Sequence, residues 1–235
     1  MARREFPEVY DLWKKHESTY VEVFTIALGI LANSTCDIDH EDKISESLCP
    51  ILYKVCFIKS KESSREIRTP DWEKPIQPVA DDELRGGKIR KRPDFTCKLT
   101  NPFAFDVDEY EISLHIECKR LGKPASNSWI LNENYVVNGI HRFDSLEHEY
   151  GKRAFSGMMI GYIISMLPEQ ILIEINAYQK TLCAKGPAIE YKFTQNEVRQ
   201  HLQRLNRKNI KPEVFELIHL WVDLRNLLVP TMGKS

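Results

Sequence analysis

The chain lacks any hydrophobic run long enough to cross a bilayer. Its longest, Ala154 to Leu167, is 14 residues with two glycines inside it, whereas a spanning helix needs about 20. That run therefore reads as a core helix. The 6 cysteines (36, 49, 56, 97, 118 and 183) form no CxxC pair and have no zinc-site spacing, and several lie among apolar residues as small hydrophobes. No single sign of charge dominates. With 33 Lys and Arg against 34 Asp and Glu, the net charge of −1 provides no global field toward nucleic acid or membrane. There is no internal repeat and no low-complexity tract. The start, MARREFPEVYDLWKK, lacks the apolar core of a secretory signal, so the expectation is a cytoplasmic protein with reduced thiols and no membrane partner.

What is present is an ordinary globular balance: 42% hydrophobic and 29% charged residues over 235 positions suffice for one core. Residues 8–33 carry helical periodicity, and "NSTCDIDHED" breaks it. A second helix is expected from about Glu41, with Ile44, Leu48, Ile51, Val55 and Ile58 on one face and Pro50 as a kink or break. Residues 59–80 read as a long loop. The period then changes to two. "DELRGGKIRKRPDFTCKLT" predicts a hairpin turning at Gly86-Gly87, and "DEYEISLHIECKRL" alternates through Glu111, Ser113, His115, Glu117 and Lys119 on one face. Residues 122–143 read as a loop with local structure. Asp144 is placed to cap a helix over 145–166, whose small residues would let it lie close on a sheet, and Pro168 to open another. "AIEYKFT" predicts a strand, "NEVRQHLQRLNRK" a basic helix, and "FELIHLWVDL" a late strand or helix. The sum is an α/β chain with a mixed central sheet flanked by helices. A helical extension over 1–37 precedes a domain over 38–235.

Glu-x-Lys occurs three times, at Glu41-Asp42-Lys43, Glu117-Cys118-Lys119 and Glu190-Tyr191-Lys192. Only the second closes a strand whose expected neighbour begins "RPDF", which puts Asp94 23 residues before Glu117. Two carboxylates brought together on adjacent strands repel unless a cation lies between them. Hard oxygen donors suit Mg²⁺, which takes one or two carboxylates plus phosphate. Lys119 shares the strand face of Glu117, where its ammonium can contact an attacking water or a phosphate. The carbonyl of Cys118 can add a ligand. These are the parts needed to hydrolyse a phosphodiester.

"RPDF…IECKRL" resembles the signature of the PD-(D/E)XK nuclease superfamily, over roughly residues 39–195. The resemblance implies a restriction-endonuclease-like core: a helix, a three-strand meander, a helix and a further strand. It implies that Asp94 and Glu117 bind Mg²⁺, with Mn²⁺ as a substitute, and that Lys119 aids the nucleophilic water. Members often add an acid from the first core helix. Glu41 is the candidate, with Asp42, Glu46 and Glu22 as rivals. Arg90, Lys91, Arg92, Arg120, Lys152 and Arg153 are candidate nucleic-acid contacts, the last two as phosphate ligands near the start of the second core helix. Arg204, Arg207 and Lys208 can also meet phosphates from a helix surface, while His219, Asp223, Trp221 and Phe215 read as structural. The expected substrate is DNA. Cutting both strands of a duplex calls for a homodimer or a larger complex, and the setting is similar to nucleases of anti-phage defence. Two readings compete: a catalytically silent, nuclease-like subunit that binds nucleic acid or regulates a complex, and an interaction protein whose long N-terminal helix is the working surface.

Overall fold

The structure, a computed structural model, describes residues 7–76, 91–182 and 187–228. A seven-stranded mixed sheet in the order β1–β2–β3–β4–β7–β6–β5 forms its centre. The elements are α1 (Pro7–Ala32), α2 (Glu41–Ser63), β1 (Asp71–Trp72), β2 (Phe95–Thr100), β3 (Glu111–Leu121), α3 (Leu131–Val137), β4 (Ser156–Ile163), α4 (Pro168–Leu182), β5 (Glu190–Gln195), β6 (Val198–Asn206) and β7 (Val214–Asp223). The first three strands are an antiparallel meander. β3, β4 and β7 are parallel, and β7, β6 and β5 are antiparallel again. No helix among the described residues is long and apolar enough to cross a membrane.

Helices cover both faces. α1 and α2 lie on one: Trp13 Nε1 donates to Ser156 Oγ at 2.9 Å, Phe24 packs edge-on to Phe95, and Ser45 Oγ meets Tyr162 Oη at 3.2 Å. α3 and α4 lie on the other, where Tyr135 Oη meets His219 Nδ1 at 2.8 Å and Gln179 accepts from Gln203. The helix expected to form an N-terminal extension thus buries Trp13, Val23, Phe24, Leu28 and Leu31 in the same core as the strands. Pro50 sits within α2 without ending it, and α2 takes up the start of the expected 59–80 loop. The turn at Gly86-Gly87 lies outside the described residues.

Two expectations are corrected. The run from Ala154 to Leu167 is no helix: its centre is β4, buried at all eight positions and parallel to both neighbours. A parallel strand covered on both faces is continuously apolar, so no alternation betrays it. Its glycines admit rings from the α3 side, and a Cβ on Gly161 would stand 2.6 Å from Trp221 Cδ1. The expected helix over "NEVRQHLQRLNRK" is β6. Val198, Leu202 and Leu205 mimic a helical stripe, but the buried side is His201, Gln203, Leu205 and Arg207. Polar residues on the inner face conceal the period of two. β5 and β6 join at Asn196-Glu197, both at positive φ (49° and 64°), as a tight hairpin turn requires. β7, left open between strand and helix, is a strand.

Three imidazoles are buried within the sheet layers, and burial lowers each: His115 to about 4, with the Lys98 charge acting the same way, His201 to about 4, with the Arg199 charge acting the same way, and His219 well below its ordinary value. The unfolded chain takes up protons near pH 6.5 while the folded one does not. The stability from burying them neutral is therefore complete above pH 6.5 and lost as pH falls toward 4. Each contributes up to roughly 1.4 kcal/mol per pH unit in that window. Urea unfolding at pH 7.5, 6.0 and 5.0 should show a steepening loss of stability, and His201→Gln should flatten the slope by about one proton.

Candidate functional site

The site arises from a register that ends early. β2 begins at Phe95, opposite Ile116, so residues 117–121 of β3 run on without a β2 partner. A strand edge leaves alternate N–H and C=O groups unpaired. Two acidic side chains cap them: Asp94 Oδ2, immediately before β2, accepts from Cys118 N at 2.5 Å, and Glu41 Oε2, at the start of α2, accepts from Arg120 N at 3.0 Å. Glu41 is brought there because Ser45, one turn later, meets Tyr162 of β4. The sequence places Glu117 opposite Met159 and Lys119 opposite Gly161, on the α3 face.

Glu117 is fully buried and Lys119 nearly so. The Lys119 ammonium donates to Glu41 Oε1 (2.8 Å), Glu117 Oε1 (2.8 Å) and the Cys118 carbonyl (2.7 Å). Burial works against its charge, but Glu117, Glu41 and Asp94 outweigh burial and raise its pKa. Beside these carboxylates Lys119 is held as an ammonium donor. Burial and then repulsion from Glu117 push the Asp94 carboxyl well above the usual range, against the pull of Lys119 and the Cys118 N–H. Glu117 Oε2 is buried with no hydrogen-bond partner.

One member of the cluster escapes the sequence pattern. Arg142, in the 3-10 turn Ile140–Asp144, pairs its guanidinium with Glu117 Oε1. Nothing in "GIHRFD" marks it, because only the fold brings position 142 to position 117. The buried Tyr150 hydroxyl lies in the same field, raised first by burial and then by Glu117.

The other expected residues are distributed as follows. Asp42 is exposed, Glu46 pairs with Lys43, and Glu22 pairs with Lys59, all away from the cluster. Arg90 lies outside the described residues. Lys91 pairs with Glu147, Arg92 is exposed, and Arg120 donates to the Asp39 carbonyl. Lys152 and Arg153 are not at a helix start: they occupy the turn before β4, because the expected helix is that strand. There they line a cleft over β2 and β3 with Lys74, Lys98, Ser113 and His115. Arg207 is buried and no surface contact. It donates to the carbonyls of Phe143, Tyr150, Gly151 and Pro212 and stacks 3.9 Å from the Phe215 ring centroid. His219, Trp221 and Phe215 are core residues. The indole of Trp221 donates to Tyr135 Oη (2.9 Å), which also meets His219 Nδ1.

Three carboxylates, a carbonyl, an ammonium and a guanidinium thus converge on one strand edge. Among the described residues, no group of three or more His, Cys, Asp or Glu side chains is placed to hold a metal ion; Lys119 draws Glu41 and Glu117 onto its own ammonium. No protein-family model, curated protein or solved structure matches the chain.

The crowding of Asp94 against Glu117 has a measurable consequence. Asp94→Asn keeps an acceptor for Cys118 N and removes one of two repelling charges. The expected result is a gain of roughly 1 kcal/mol, about 2–4 °C in melting temperature at pH 7.5. Differential scanning calorimetry checks it, and a destabilised variant would contradict the repulsion.

Proposed function

We propose that the chain is a divalent-metal-dependent nuclease that hydrolyses phosphodiester bonds, with DNA as substrate. The observation that carries the reading is Glu117: a fully buried carboxylate with one oxygen unpartnered, beside Asp94 and the Cys118 carbonyl at an open strand edge. Few structural roles reward such a group, since a buried carboxylate oxygen left without a hydrogen bond is costly even where the charge itself is compensated. The element order supports the same reading. α2, the antiparallel β1–β3, α3 and the parallel β4 follow the helix, meander, helix and strand expected of a restriction-endonuclease-like core.

The donor types at this edge, carboxylate and carbonyl oxygens, are those that a hard dication takes. Glu117, Asp94 and the Cys118 carbonyl would hold Mg²⁺ or Mn²⁺, with Glu41 as a further oxygen within reach of Lys119. When bound, the ion supplies Lewis-acid activation and lowers the pKa of water. The residues supply the rest. Lys119, held as an ammonium beside these carboxylates, would orient an attacking water or stabilise the phosphate's growing negative charge. β4 and α3 close the inner side of Glu117 against bulk water, which strengthens every interaction there. Lys152, Arg153, Lys98 and Lys74 line a cleft on the same sheet face, two strand positions from Glu117 at His115, and give a nucleic-acid backbone a path. A duplex cutter with one such site per chain works as a homodimer or within a larger complex, and anti-phage defence is a setting that suits it.

One observation favours a second reading. Lys119 and Arg142 already compensate Glu117, which is also how a silent, nuclease-like binding or regulatory subunit would keep its fold. Catalysis assays separate the two. Purified protein incubated with plasmid DNA and with RNA should cleave in Mg²⁺ or Mn²⁺ and stop in EDTA. Lys119→Ala and Glu117→Gln should each lose about 10²-fold or more while keeping the circular-dichroism spectrum of the unaltered protein. Undiminished cleavage by Lys119→Ala would overturn the assignment.

A further inference from the structure

We infer that Arg142 is the site's phosphate ligand, and that it makes phosphodiester binding and metal binding mutually dependent. The inference rests on the nuclease reading and deepens it. Arg142 differs from Lys119 in access. The Lys119 side chain is 6% exposed and committed to three oxygens, whereas that of Arg142 is 26% exposed. Its guanidinium makes one hydrogen bond among the described residues, to Glu117 Oε1. A guanidinium has five N–H donors in a planar fork, so most remain for a second anion. A phosphate is the anion that fork matches best.

The charges give the same answer. Glu41, Asp94 and Glu117 face Lys119 and Arg142, one negative charge in excess when all are ionised. A dication among them reverses this to one positive charge in excess. A single phosphodiester group restores neutrality, and Arg142 is the cation with solvent access from which to hold it. Without phosphate, Arg142 and the dication compete for Glu117. With phosphate present, Arg142 has an anion of its own and the competition is relieved. Each ligand therefore strengthens the other, by equal factors.

Arg142 is also held from behind, which keeps it on this edge. The carbonyl of Phe143, the next residue, accepts from buried Arg207, and Asp144 Oδ1 accepts from the backbone N–H groups of Lys208 and Asn209 at 3.0 Å each. The 3-10 turn is tied to the end of β6, so the guanidinium stays beside Glu117.

The test is Mn²⁺ affinity, measured by electron paramagnetic resonance of the free ion. The probes are dimethyl phosphate, a monoanionic phosphodiester, and trimethyl phosphate as its neutral control. In the unaltered protein, saturating dimethyl phosphate should tighten Mn²⁺ binding by about tenfold and trimethyl phosphate should not. Arg142→Gln should bind Mn²⁺ a few-fold more tightly alone, through loss of a competing cation, and show coupling close to one. Arg142→Lys should retain part of the coupling, and matched melting temperatures would establish that all three forms fold. Unchanged coupling in Arg142→Gln overturns the inference alone, as does weaker Mn²⁺ binding by that variant without phosphate, which is the signature of a residue that only positions Glu117. Absence of Mn²⁺ binding by the unaltered protein would sink the nuclease reading, and this inference with it.

Discussion

A carboxylate with no exposed surface governs this end of the molecule. Glu117 is anchored in β3 between Asp94 and β4, and the desolvation of such a group costs several kcal/mol unless opposite charge accompanies it. Two cations do so, and each has its own reason for being there. Lys119 is two residues along the same strand and shares its face. Arg142 arrives on a turn that the chain reaches only after α3. The remaining acids, Asp94 and Glu41, are explained by backbone need: the overhang of β3 exposes N–H groups at Cys118 and Arg120, and a carboxylate answers each. One register decision, the start of β2 opposite Ile116, therefore produces both the open edge and its acidic lining.

That lining is a poor way to build a stable fold. Neutral acceptors would cap the two N–H groups as well, without the repulsion that drives the Asp94 carboxyl up. Hydrophobic residues in place of the Glu117 and Lys119 pair would avoid its desolvation. Stability comes from elsewhere: Trp13, Phe24, Leu28, Ile44 and Leu48 on one face of the sheet, and Tyr135, Ile171 and Ile175 on the other, all buried. A region that breaks local rules while the rest of the chain obeys them is where function is expected to lie.

How much of this was legible in the sequence depended on which physical signal each segment carries. α1 and α2 announce themselves by periodicity, α4 by Pro168, and β3 by the alternation from Glu111 to Lys119 beneath its apolar positions. The pairing of β2 with β3, and so the nearness of Asp94 to Glu117, follows from hairpin distance, and Glu41 from its place three and seven positions before the inward Ile44 and Leu48. β4 was hidden because a strand buried on both faces has no polar face to alternate with. β6 was hidden because His201, Gln203 and Arg207 spend polar side chains on its inner side, each with tertiary partners or neighbours that no local pattern can show. Arg142 has no local signature at all.

The misread segment and the missed residue are connected. Arg207 is buried without a carboxylate in contact, and burial lowers it only to about 10, so it remains a cation at neutral pH. Its charge is satisfied by four carbonyls, three of them in the stretch that runs from the end of the 3-10 turn to the start of β4. A planar fork that collects carbonyls from Phe143, Tyr150 and Gly151 fixes the path of a loop that has little regular structure of its own. That loop carries Arg142 at one end. The Tyr150 hydroxyl feels the Glu117 charge, and Gly151 N–H donates to His115 Nδ1 two positions before Glu117. Reading β6 as a surface helix made Arg207 a candidate phosphate contact. Buried just past the end of β6, it does something less direct: it holds from the far side of the loop the geometry in which a second cation meets Glu117.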